Sequence, residues 1–355
     1  MAHLLDPLTL RSVTLPNRIG VSPMCEYSSD DGFASDWHLV HLGSRAVGGA
    51  GLVLTEAAAV EERGRISPRD LGLWKDAHVD FLSRIVRFVE ARGAVAGVQL
   101  AHAGRKGSTA VPWEGGQGVG PEQGGWEPIA PSAVAFSERT IAPRAMSLED
   151  IREVTHAFAG AARRAEAAGF RVVELHFAHG YLVHEFLSPL SNRREDAYGG
   201  GFEQRIRLAL EIARAVRAQW PGRLPLLARL SCTDWVEGGW SVDESVELAR
   251  RLGAEGVDLV DCSSGGLVPD ARIDAVPGYQ VPFARRIRAE AGVRTAAVGL
   301  ITEPAQAEAI VHGGDADLVL LARAMLRDPY WPLHAAAALG RLEARRVPAQ
   351  YLRAF

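Results

Sequence analysis

The amino-acid sequence predicts an α/β protein built as a (β/α)8 TIM barrel, a closed ring of eight parallel strands with a helix after each strand. Apolar runs of strand length alternate with amphipathic stretches almost from end to end, which is the pattern of parallel β–α–β units. Eight such runs are present, and 355 residues are enough for one barrel. We therefore expect a single domain over residues 1–355.

The eight candidate strands are short aliphatic runs, and the stretches between them have helical periodicity. In order along the chain they are residues 19–23, 51–56, 95–100, 172–176, 225–230, 257–261, 294–298 and 317–321. Because all strands of such a barrel run in the same direction, the side chains that follow them gather on one face. Barrels of this type carry their chemistry on that face.

Two of the helices have clear start and stop signals. A long helix is predicted after Ser147, which is followed three residues later by an acidic residue and is typical of a capping box; it should end at Gly169. A second helix is predicted after Ser241 by the same pattern, and we expect its C-cap at Gly253.

Two segments interrupt the alternation. Residues 103–144 follow the third strand and are rich in Gly, Pro and Trp, which predicts a long excursion that covers part of the catalytic face. Residues 345–355 follow the last barrel helix and have no place in the barrel itself. The aromatic residues Tyr351 and Phe355 indicate that this tail docks on a surface, which we expect to be a subunit interface.

Composition excludes several classes of protein. Hydrophobic residues make up 47% and charged residues 23%, as in ordinary globular proteins, and the net charge of −4 gives no basis for nucleic-acid binding. No apolar run is long enough to cross a membrane, and no signal peptide is visible at the N-terminus. Three widely spaced cysteines argue against disulfides and for a reducing cytoplasm.

The most informative stretch is residues 172–192, where a strand ends in two histidines, His176 and His179, followed by Tyr181. Three interpretations are open on these residues alone. The histidines can be structural; they can bind zinc together with His184, although the spacing matches no common zinc pattern; or they can form a hydrogen-bonding pair for an electron-rich ligand, with Tyr181 as an acid.

Other strand ends favour the third interpretation. Cys25 follows the first strand and Gln99 ends the third. Arg229 lies inside an apolar run, where a buried guanidinium needs a polar or anionic partner. Gly299 and Arg323 end strands seven and eight, the recurrent phosphate site of this fold. Such a set of groups suits a phosphorylated heteroaromatic cofactor, and FMN fits well.

These residues lie in motifs that resemble those of the Old Yellow Enzyme family of FMN-dependent ene-reductases, specifically the bacterial thermophilic-like branch that includes the xenobiotic reductases. The motifs are PNRIGVSPMCEY at 16–27, GLVLTEAAAV at 51–60, GRISPRDLGLW at 64–74, VQLAHAGRK at 98–106, ELHFAHGYLVHEFLSPLSNRREDAYGG at 174–200, VDLVDCSSG at 257–265 and the C-terminal QYLRAF. The similarity covers essentially the whole chain. It differs from the shortest members at 112–125, where the longer excursion resembles that of the xenobiotic reductases.

The resemblance implies a set of FMN-binding residues. They lie along the isoalloxazine ring, at its pyrimidine portion and at the phosphate, and are Ser22, Pro23, Met24, Cys25, Ala58, Gln99, Arg229, Gly299, Ala322 and Arg323. Cys25 corresponds to the cysteine that lies near the flavin in the family and tunes its redox behaviour. The family usually has Gly at position 322, and we expect phosphate binding to survive the change because the backbone N–H is retained.

The resemblance also implies a substrate site. His176 and His179 would bind the carbonyl oxygen of the substrate, Tyr181 would donate the proton, and Tyr27 would form a wall of the pocket. Arg353 corresponds to an arginine that reaches the active site of a neighbouring subunit, which implies a homodimer or homotetramer.

The activity implied is reduction of the activated C=C bond of an α,β-unsaturated carbonyl or nitro compound, with NADPH or NADH as the reductant.

Other functions of a barrel fit the sequence less well. A Schiff-base aldolase would need a lysine at the end of strand six or seven, and the two lysines of the chain, Lys75 and Lys106, lie elsewhere. A flavin-binding protein without catalysis would need neither the two histidines nor Tyr181. Iron–sulfur relatives of the family would need four cluster cysteines, whereas this chain has three scattered ones.

Overall fold

Eight parallel strands close into a barrel in the computed structural model, which describes residues 2–354 apart from the side chain of Arg345. The strands are β1 (Leu8–Leu10), β2 (Val13–Leu15), β3 (Ile19–Val21), β4 (Leu52–Ala59), β5 (Val95–Ala101), β6 (Ile129–Ala130), β7 (Arg144–Ala145), β8 (Val172–Phe177), β9 (Leu226–Ser231), β10 (Leu259–Ser263), β11 (Arg294–Ala297) and β12 (Leu318–Leu321). The barrel runs β3-β4-β5-β8-β9-β10-β11-β12 and closes where β12 pairs with β3.

The helices lie between the strands, as a (β/α)8 barrel requires. They are α1 (Asp36–Val47), α2 (Val79–Ala91), α3 (Leu148–Ala168), α4 (Leu182–Leu187), α5 (Phe202–Arg205), α6 (Arg207–Gln219), α7 (Val242–Ala254), α8 (Val281–Ala291), α9 (Pro304–His312), α10 (Arg323–Arg327) and α11 (Trp331–Ala338). All eight predicted barrel strands are confirmed, with boundaries shifted by a few residues at most.

Two shifted boundaries affect the catalytic face. Strand β3 ends at Val21, so the segment that begins with Ser22 lies beyond the strand. Strand β4 continues to Ala59, three residues further than expected, and its register with β5 shifts between Leu54 and Ala57. A β-bulge of this kind redirects the side chains that follow it.

The core is continuous through the barrel wall. Every residue of β4, β5, β8, β9, β10 and β12 is buried, because helices or loops cover the outside of the barrel and side chains fill its inside. Most of these residues are aliphatic. The polar exceptions are concentrated towards the carboxyl ends of the strands, where they form the site described below.

The capping signals were largely correct. Ser147 accepts a hydrogen bond from the backbone N–H of Asp150 at the start of α3, and Gly169 closes that helix with φ of 92°. Ser241 caps α7 in the same way, but the expected C-cap at Gly253 was wrong. Helix α7 continues to Ala254, because the left-handed conformation that ends the turn is adopted by Gly256, with φ of 91°.

The excursion and the tail contain little regular structure. Residues 103–144 form short 3-10 turns and contain β6, which pairs in parallel with β7. The tail forms two 3-10 turns, Ala344–Arg346 and Ala349–Ala354. Its second predicted docking residue, Phe355, lies outside the described residues. Across residues 2–354, none of the helices combines the length and the apolar character that crossing a membrane requires.

Replacing Ser147 with Ala should lower the free energy of unfolding by about 1 kcal/mol, because the first turn of α3 loses its side-chain cap. The midpoint of urea unfolding would measure the loss. Ser83→Ala is a matched control: its hydroxyl bonds only the carbonyl of Val79 at 2.9 Å within α2, and we expect a change within about 0.5 kcal/mol. Equal losses in the two variants would contradict the capping role.

Candidate active site at the carboxyl ends of the barrel strands

Buried polar groups from the four adjacent strands β5, β8, β9 and β10 meet inside the barrel. Arg229 on β9 pairs with Asp261 on β10, with 2.9 Å between Nε and Oδ2. On the other side, the Gln99 side-chain NH2 donates to Glu174 Oε1 at 2.8 Å. All four residues are at least nine-tenths buried. The sequence predicted that the Arg229 guanidinium has a polar or anionic partner, and the structure shows that this partner is Asp261 on the next strand. The residues around Arg229 do not identify which acid it is.

Burial governs the charge of this cluster. It raises the pKa of Glu174, and the neighbouring Asp261 carboxylate raises it further, so Glu174 retains its proton near neutral pH. Burial also raises the pKa of Asp261, while the Arg229 guanidinium opposes that rise. Because Gln99 uses its NH2 on Glu174, its carbonyl oxygen is the group left to accept a hydrogen bond from a ligand.

The two predicted histidines and the tyrosine do come together at the end of β8. The rings of His176 and His179 have centroids 5.1 Å apart, and those of His176 and Tyr181 are 5.0 Å apart, both nearly perpendicular. The Nδ1 atom of His176 accepts from the backbone N–H of Ala178 at 3.3 Å, which places its proton on Nε2. His179 Nε2 lies 2.7 Å from the hydroxyl of Ser263.

Burial keeps these groups uncharged. Desolvation, with the nearby Arg229 guanidinium as the next cause, holds the pKa of His176 and of His179 well below its usual value, so both are neutral imidazoles. Burial also raises the pKa of Tyr181 well above its usual value, so the phenol remains protonated. His179 has a left-handed backbone, with φ of 60°, a strained conformation of the kind that persists at functional sites.

The zinc interpretation of this stretch is not supported. His184 is completely buried on α4, where its Nδ1 accepts from the backbone N–H of Gly180 and its Nε2 lies 2.9 Å from Asp234. It is therefore a structural histidine. Within residues 2–354, the geometry that could hold a metal ion occurs at His3, Glu308 and His312, and none of these is in the strand-end cluster.

The segment after β3 lies beside this cluster. Ser22 donates its backbone N–H to Leu321 at 2.9 Å, and its buried hydroxyl has no hydrogen-bond partner. Burial raises the pKa of the Cys25 thiol well above its usual value. Tyr27 has φ of 48° and makes an edge contact with Trp113 of the excursion, 5.8 Å between centroids. The excursion therefore contacts the predicted substrate wall.

A cavity of about 260 Å³ extends from Arg229 and Ser263 to the ends of β11 and β12. Its far end is lined by Gly299, Ala322 and Arg323, the three predicted phosphate residues. Gly299 has φ of 111°, and a Cβ there would lie 2.6 Å from Gln280 Nε2. Arg323 is the first residue of α10, whose opening N–H groups have no partner within the helix.

The sequence profile of the NADH:flavin oxidoreductase / NADH oxidase family matches residues 3–341. This chain belongs to that family, the Old Yellow Enzyme family. An NADPH dehydrogenase from Geobacillus sp. (strain WCH70) is 52% identical over 339 residues, which cover 95% of this chain and 94% of that protein.

Two solved structures have the same fold. The old yellow enzyme homologue from Zymomonas mobilis matches with a TM-score of 0.79 at 25% identity and covers 96% of this chain and 94% of its own. The 2-naphthoyl-CoA reductase complex with 2-naphthoyl-CoA matches with a TM-score of 0.86 at 29% identity, over 96% of this chain and 52% of that chain. This Old Yellow Enzyme family protein therefore spans about half the length of the latter.

Membership makes this protein an FMN-dependent oxidoreductase that uses NAD(P)H as its reductant. The site fits FMN on its own geometry as well. The cavity places an arginine and backbone N–H groups at one end, as a phosphate requires, and Arg229 at the other. The unpartnered hydroxyl of Ser22 and the free carbonyl of Gln99 are the kind of groups that a polar ring would satisfy.

Several site residues were missed at the level of sequence. Glu174 and Asp261 are charged residues inside apolar strands, the same signal that singled out Arg229, and could have been found by it. Lys106 contacts the backbone of His179 and the ring of Tyr181, and no local pattern indicates this. Arg353 is exposed and, among residues 2–354, forms no hydrogen bond or ion pair with the predicted site residues.

Replacing Gly299 with Ala should weaken FMN binding by about tenfold or more, because the added Cβ overlaps Gln280 and the positive φ disfavours Ala; tenfold corresponds to about 1.4 kcal/mol. FMN release followed by flavin fluorescence would measure this. Gly222→Ala is the control, since a Cβ at Gly222 meets no atom within 4 Å. Unchanged FMN release from the Gly299 variant would contradict the assignment of this end of the cavity.

Proposed function

We propose that this enzyme reduces the activated C=C bond of α,β-unsaturated carbonyl or nitro compounds at the cluster of His176, His179 and Tyr181. The observation that carries the proposal is the protonation pattern of the cluster. Two neutral imidazoles and one protonated phenol meet at the end of β8, beside the cavity that fits FMN. Neutral donors of this kind suit an electron-rich oxygen that gains negative charge during the reaction.

The residues that would hold FMN come from four parts of the barrel. Ser22, Pro23, Met24, Cys25 and Ala58 would lie along the ring, Gln99 and Arg229 would bind its pyrimidine portion, and Gly299, Ala322 and Arg323 would bind the phosphate. The chemistry that bound FMN supplies is acceptance of hydride from NAD(P)H and its donation to the β-carbon of the alkene. An arginine at the pyrimidine portion favours the reduced, more negative ring.

His176 and His179 would bind the substrate oxygen as hydrogen-bond donors. The proton of His176 is on Nε2, because Nδ1 is used as an acceptor. His179 can donate from Nε2 to the substrate only if its proton is on Nε2. The Ser263 hydroxyl, 2.7 Å away, would then accept this proton when no substrate is bound, since a hydroxyl can both donate and accept. Each donor aimed at a developing enolate contributes about 2.7–4 kcal/mol at most.

Tyr181 would protonate the α-carbon. Its raised pKa keeps the proton on the phenol until negative charge develops on the substrate, which is the condition for a late proton transfer. Tyr27 would form one wall of the pocket, and its contact with Trp113 connects that wall to the excursion. Cys25 remains a thiol and would act on the flavin through its polarity and size, not as a nucleophile.

A relative supports the choice of reductant, and the cysteines bear on the setting. The Geobacillus protein is named as an NADPH dehydrogenase, so we take NADPH as the first reductant to test. Cys25, Cys232 and Cys262 are all free thiols, which is consistent with a reducing cytoplasm as the place of action.

Tyr181→Phe should slow alkene reduction by about a hundredfold or more, because general acid catalysis contributes a factor of this size. Reduction of the bound flavin by NADPH should change little. Both steps can be followed in an anaerobic stopped-flow spectrophotometer: NADPH bleaches the flavin, and 2-cyclohexenone restores the oxidised spectrum. If NADPH bleached the flavin of the parent enzyme but the enone did not reoxidise it, alkene reduction would be contradicted. The protein would then be an NADPH dehydrogenase with a different electron acceptor.

We also propose that Arg353 acts in a neighbouring subunit of a homodimer or homotetramer. The turn Ala349–Ala354 leaves Tyr351 and Leu352 more than two-fifths exposed and Arg353 without an ion pair among the described residues. Exposed apolar residues beside an unpaired cation are typical of a surface that a partner covers.

Subunit mixing tests this arrangement. Homo-oligomers of Tyr181→Phe and of Arg353→Ala should each be slow with the enone, and mixing them under exchange conditions should restore activity, since a Tyr181→Phe subunit supplies Arg353 to an intact Tyr181 site. About a quarter of the sites of an equal mixture of dimers are complete by random pairing. If Arg353 acts within its own chain, mixing restores nothing.

A further inference from the structure

One cation lies at the junction of the loops that hold the proposed substrate site. The ammonium of Lys106 donates to the carbonyl of His179 at 2.7 Å and also to the carbonyl of Gly266. It lies 5.4 Å from the centre of the Tyr181 ring and 4.2 Å from that of Phe136. Lys106 follows β5, His179 and Tyr181 follow β8, and Gly266 follows β10, so this one group joins three strand ends.

The two carbonyls meet because glycines allow their loops to touch. A Cβ on Gly180 would lie 2.2 Å from the Gly266 carbonyl oxygen, and a Cβ on Gly266 would lie 2.8 Å from the backbone of His179. Both glycines have positive φ, 71° and 87°. Two carbonyl oxygens that point at one place repel each other unless a donor lies between them, and the Lys106 ammonium is that donor.

The strain at His179 gives this contact a function. His179 adopts φ of 60°, which a residue with a Cβ holds only when its surroundings impose it. Its backbone N–H donates to Ser231 Oγ at 2.9 Å, and its carbonyl accepts from Lys106. The backbone on both sides of the strained residue is thus fixed by side chains from other strands, and the imidazole direction depends on both.

The same ammonium is placed to act on Tyr181. When a phenol gives up its proton, negative charge appears on the oxygen and the ring, and a nearby cation stabilises it. Burial opposes ionisation of Tyr181, and the Arg229 guanidinium favours it. The Lys106 ammonium lies over the Tyr181 ring, and a second ring, Phe136 of the excursion, covers the ammonium.

We propose that Lys106 is a positioning residue of alkene reduction, which fixes the backbone of His179 and holds a positive charge against the Tyr181 ring while that side chain gives up its proton. The proposal rests on the proposed function, because it assigns Lys106 a role through Tyr181. It makes two demands that a purely structural lysine would not: the charge of Lys106 must matter, and it must matter more when Tyr181 carries the phenol than when it does not.

The primary experiment is a double-mutant cycle with Lys106→Met and Tyr181→Phe, measured on the oxidation of the NADPH-reduced enzyme by 2-cyclohexenone. Lys106→Met alone should slow this step by about tenfold, the equivalent of one pKa unit on the phenol. In the Tyr181→Phe background the same change should cost less than about threefold, because the phenol on which the charge acts is absent and only the contact with the His179 backbone is lost. Equal losses in both backgrounds would overturn the proposal.

Lys106→Arg is the conservative variant, because it keeps the charge and offers donors to both carbonyls. It should recover most of the rate lost in Lys106→Met.

Ferricyanide is the control acceptor, because it takes electrons from the reduced flavin and no proton is transferred to carbon. Its reduction should be similar in all variants. If Lys106→Met slowed ferricyanide reduction as much as enone reduction, the lysine would act on the flavin and the proposal would be wrong.

The pH profile provides a second readout. Burial lowers the pKa of Lys106 to about 8, opposed by the Glu185 carboxylate of α4 and aided by Arg105 of the same turn. The charge is present below this pH and is lost above it, so the enone rate should fall between pH 8 and 9. In Lys106→Arg this fall should disappear, since a guanidinium stays charged there.

The other ionisable groups around Lys106 can be separated from it. His176 and His179 have lowered pKa values and stay neutral over this range, and Tyr181 stays protonated. Glu185 does titrate nearby, because burial raises its pKa to about 8. Glu185→Gln therefore belongs in the series: a fall in rate that persists in Lys106→Arg and vanishes in Glu185→Gln would assign the titration to the acid and overturn the pH part of the proposal.

Failure of the proposed function would give a different pattern. If Tyr181→Phe reduced the enone as fast as the parent enzyme, Tyr181 would not be the proton donor, and the cycle would report this before any Lys106 variant was considered. If Tyr181→Phe were slow and Lys106→Met were not, only the inference about Lys106 would fail. FMN content and thermal unfolding of each variant, measured first, show which variants retain the folded holoenzyme.

Discussion

The burial of charged groups inside the barrel is the constraint on which the rest of the site depends. Arg229 and Asp261 form an ion pair of 2.9 Å on neighbouring strands, and Glu174 holds the Gln99 amide from the other side. Removing such charges from water is costly unless each has partners, and a pair alone leaves hydrogen-bonding capacity unused. Parallel strands in register supply the first partners. In the proposed FMN complex, a polar ligand in the adjoining cavity would supply the rest.

The same burial sets the protonation states on which the proposed chemistry relies. Desolvation penalises charge of either sign, so it lowers the pKa of His176 and His179 and raises that of Tyr181 and Cys25. One physical cause thus keeps both imidazoles neutral and the phenol protonated, as the proposed roles of these groups require. A charged histidine pair would repel Arg229, and an ionised tyrosine would have no proton to give.

Close contact between loops is the second condition for this geometry. Gly180 and Gly266 allow the loops after β8 and β10 to touch, and the strained backbone of His179 is held between Ser231 and Lys106. Such contacts join residues that are 160 positions apart, as Lys106 and Gly266 are. They exist only because the barrel closes and brings the strand ends onto one face.

The sequence by itself determined the fold class, all eight barrel strands, the start of α3 and α7, and the family to which the chain belongs. These follow from side-chain periodicity, capping residues and motifs, which are local properties of the chain. It also placed His176, His179, Tyr181 and Arg229 at strand ends.

Only the tertiary structure decided which groups meet. It ended α7 at Ala254 in place of the expected glycine cap, made His184 a structural partner of Asp234, and paired Arg229 with Asp261. It also brought Lys106 into contact with the backbone of His179 and the ring of Tyr181. The physical reason is that an ionisable side chain takes its role from its nearest charges and from its distance to water, and both are fixed by strands that are far apart in the sequence and adjacent in the barrel.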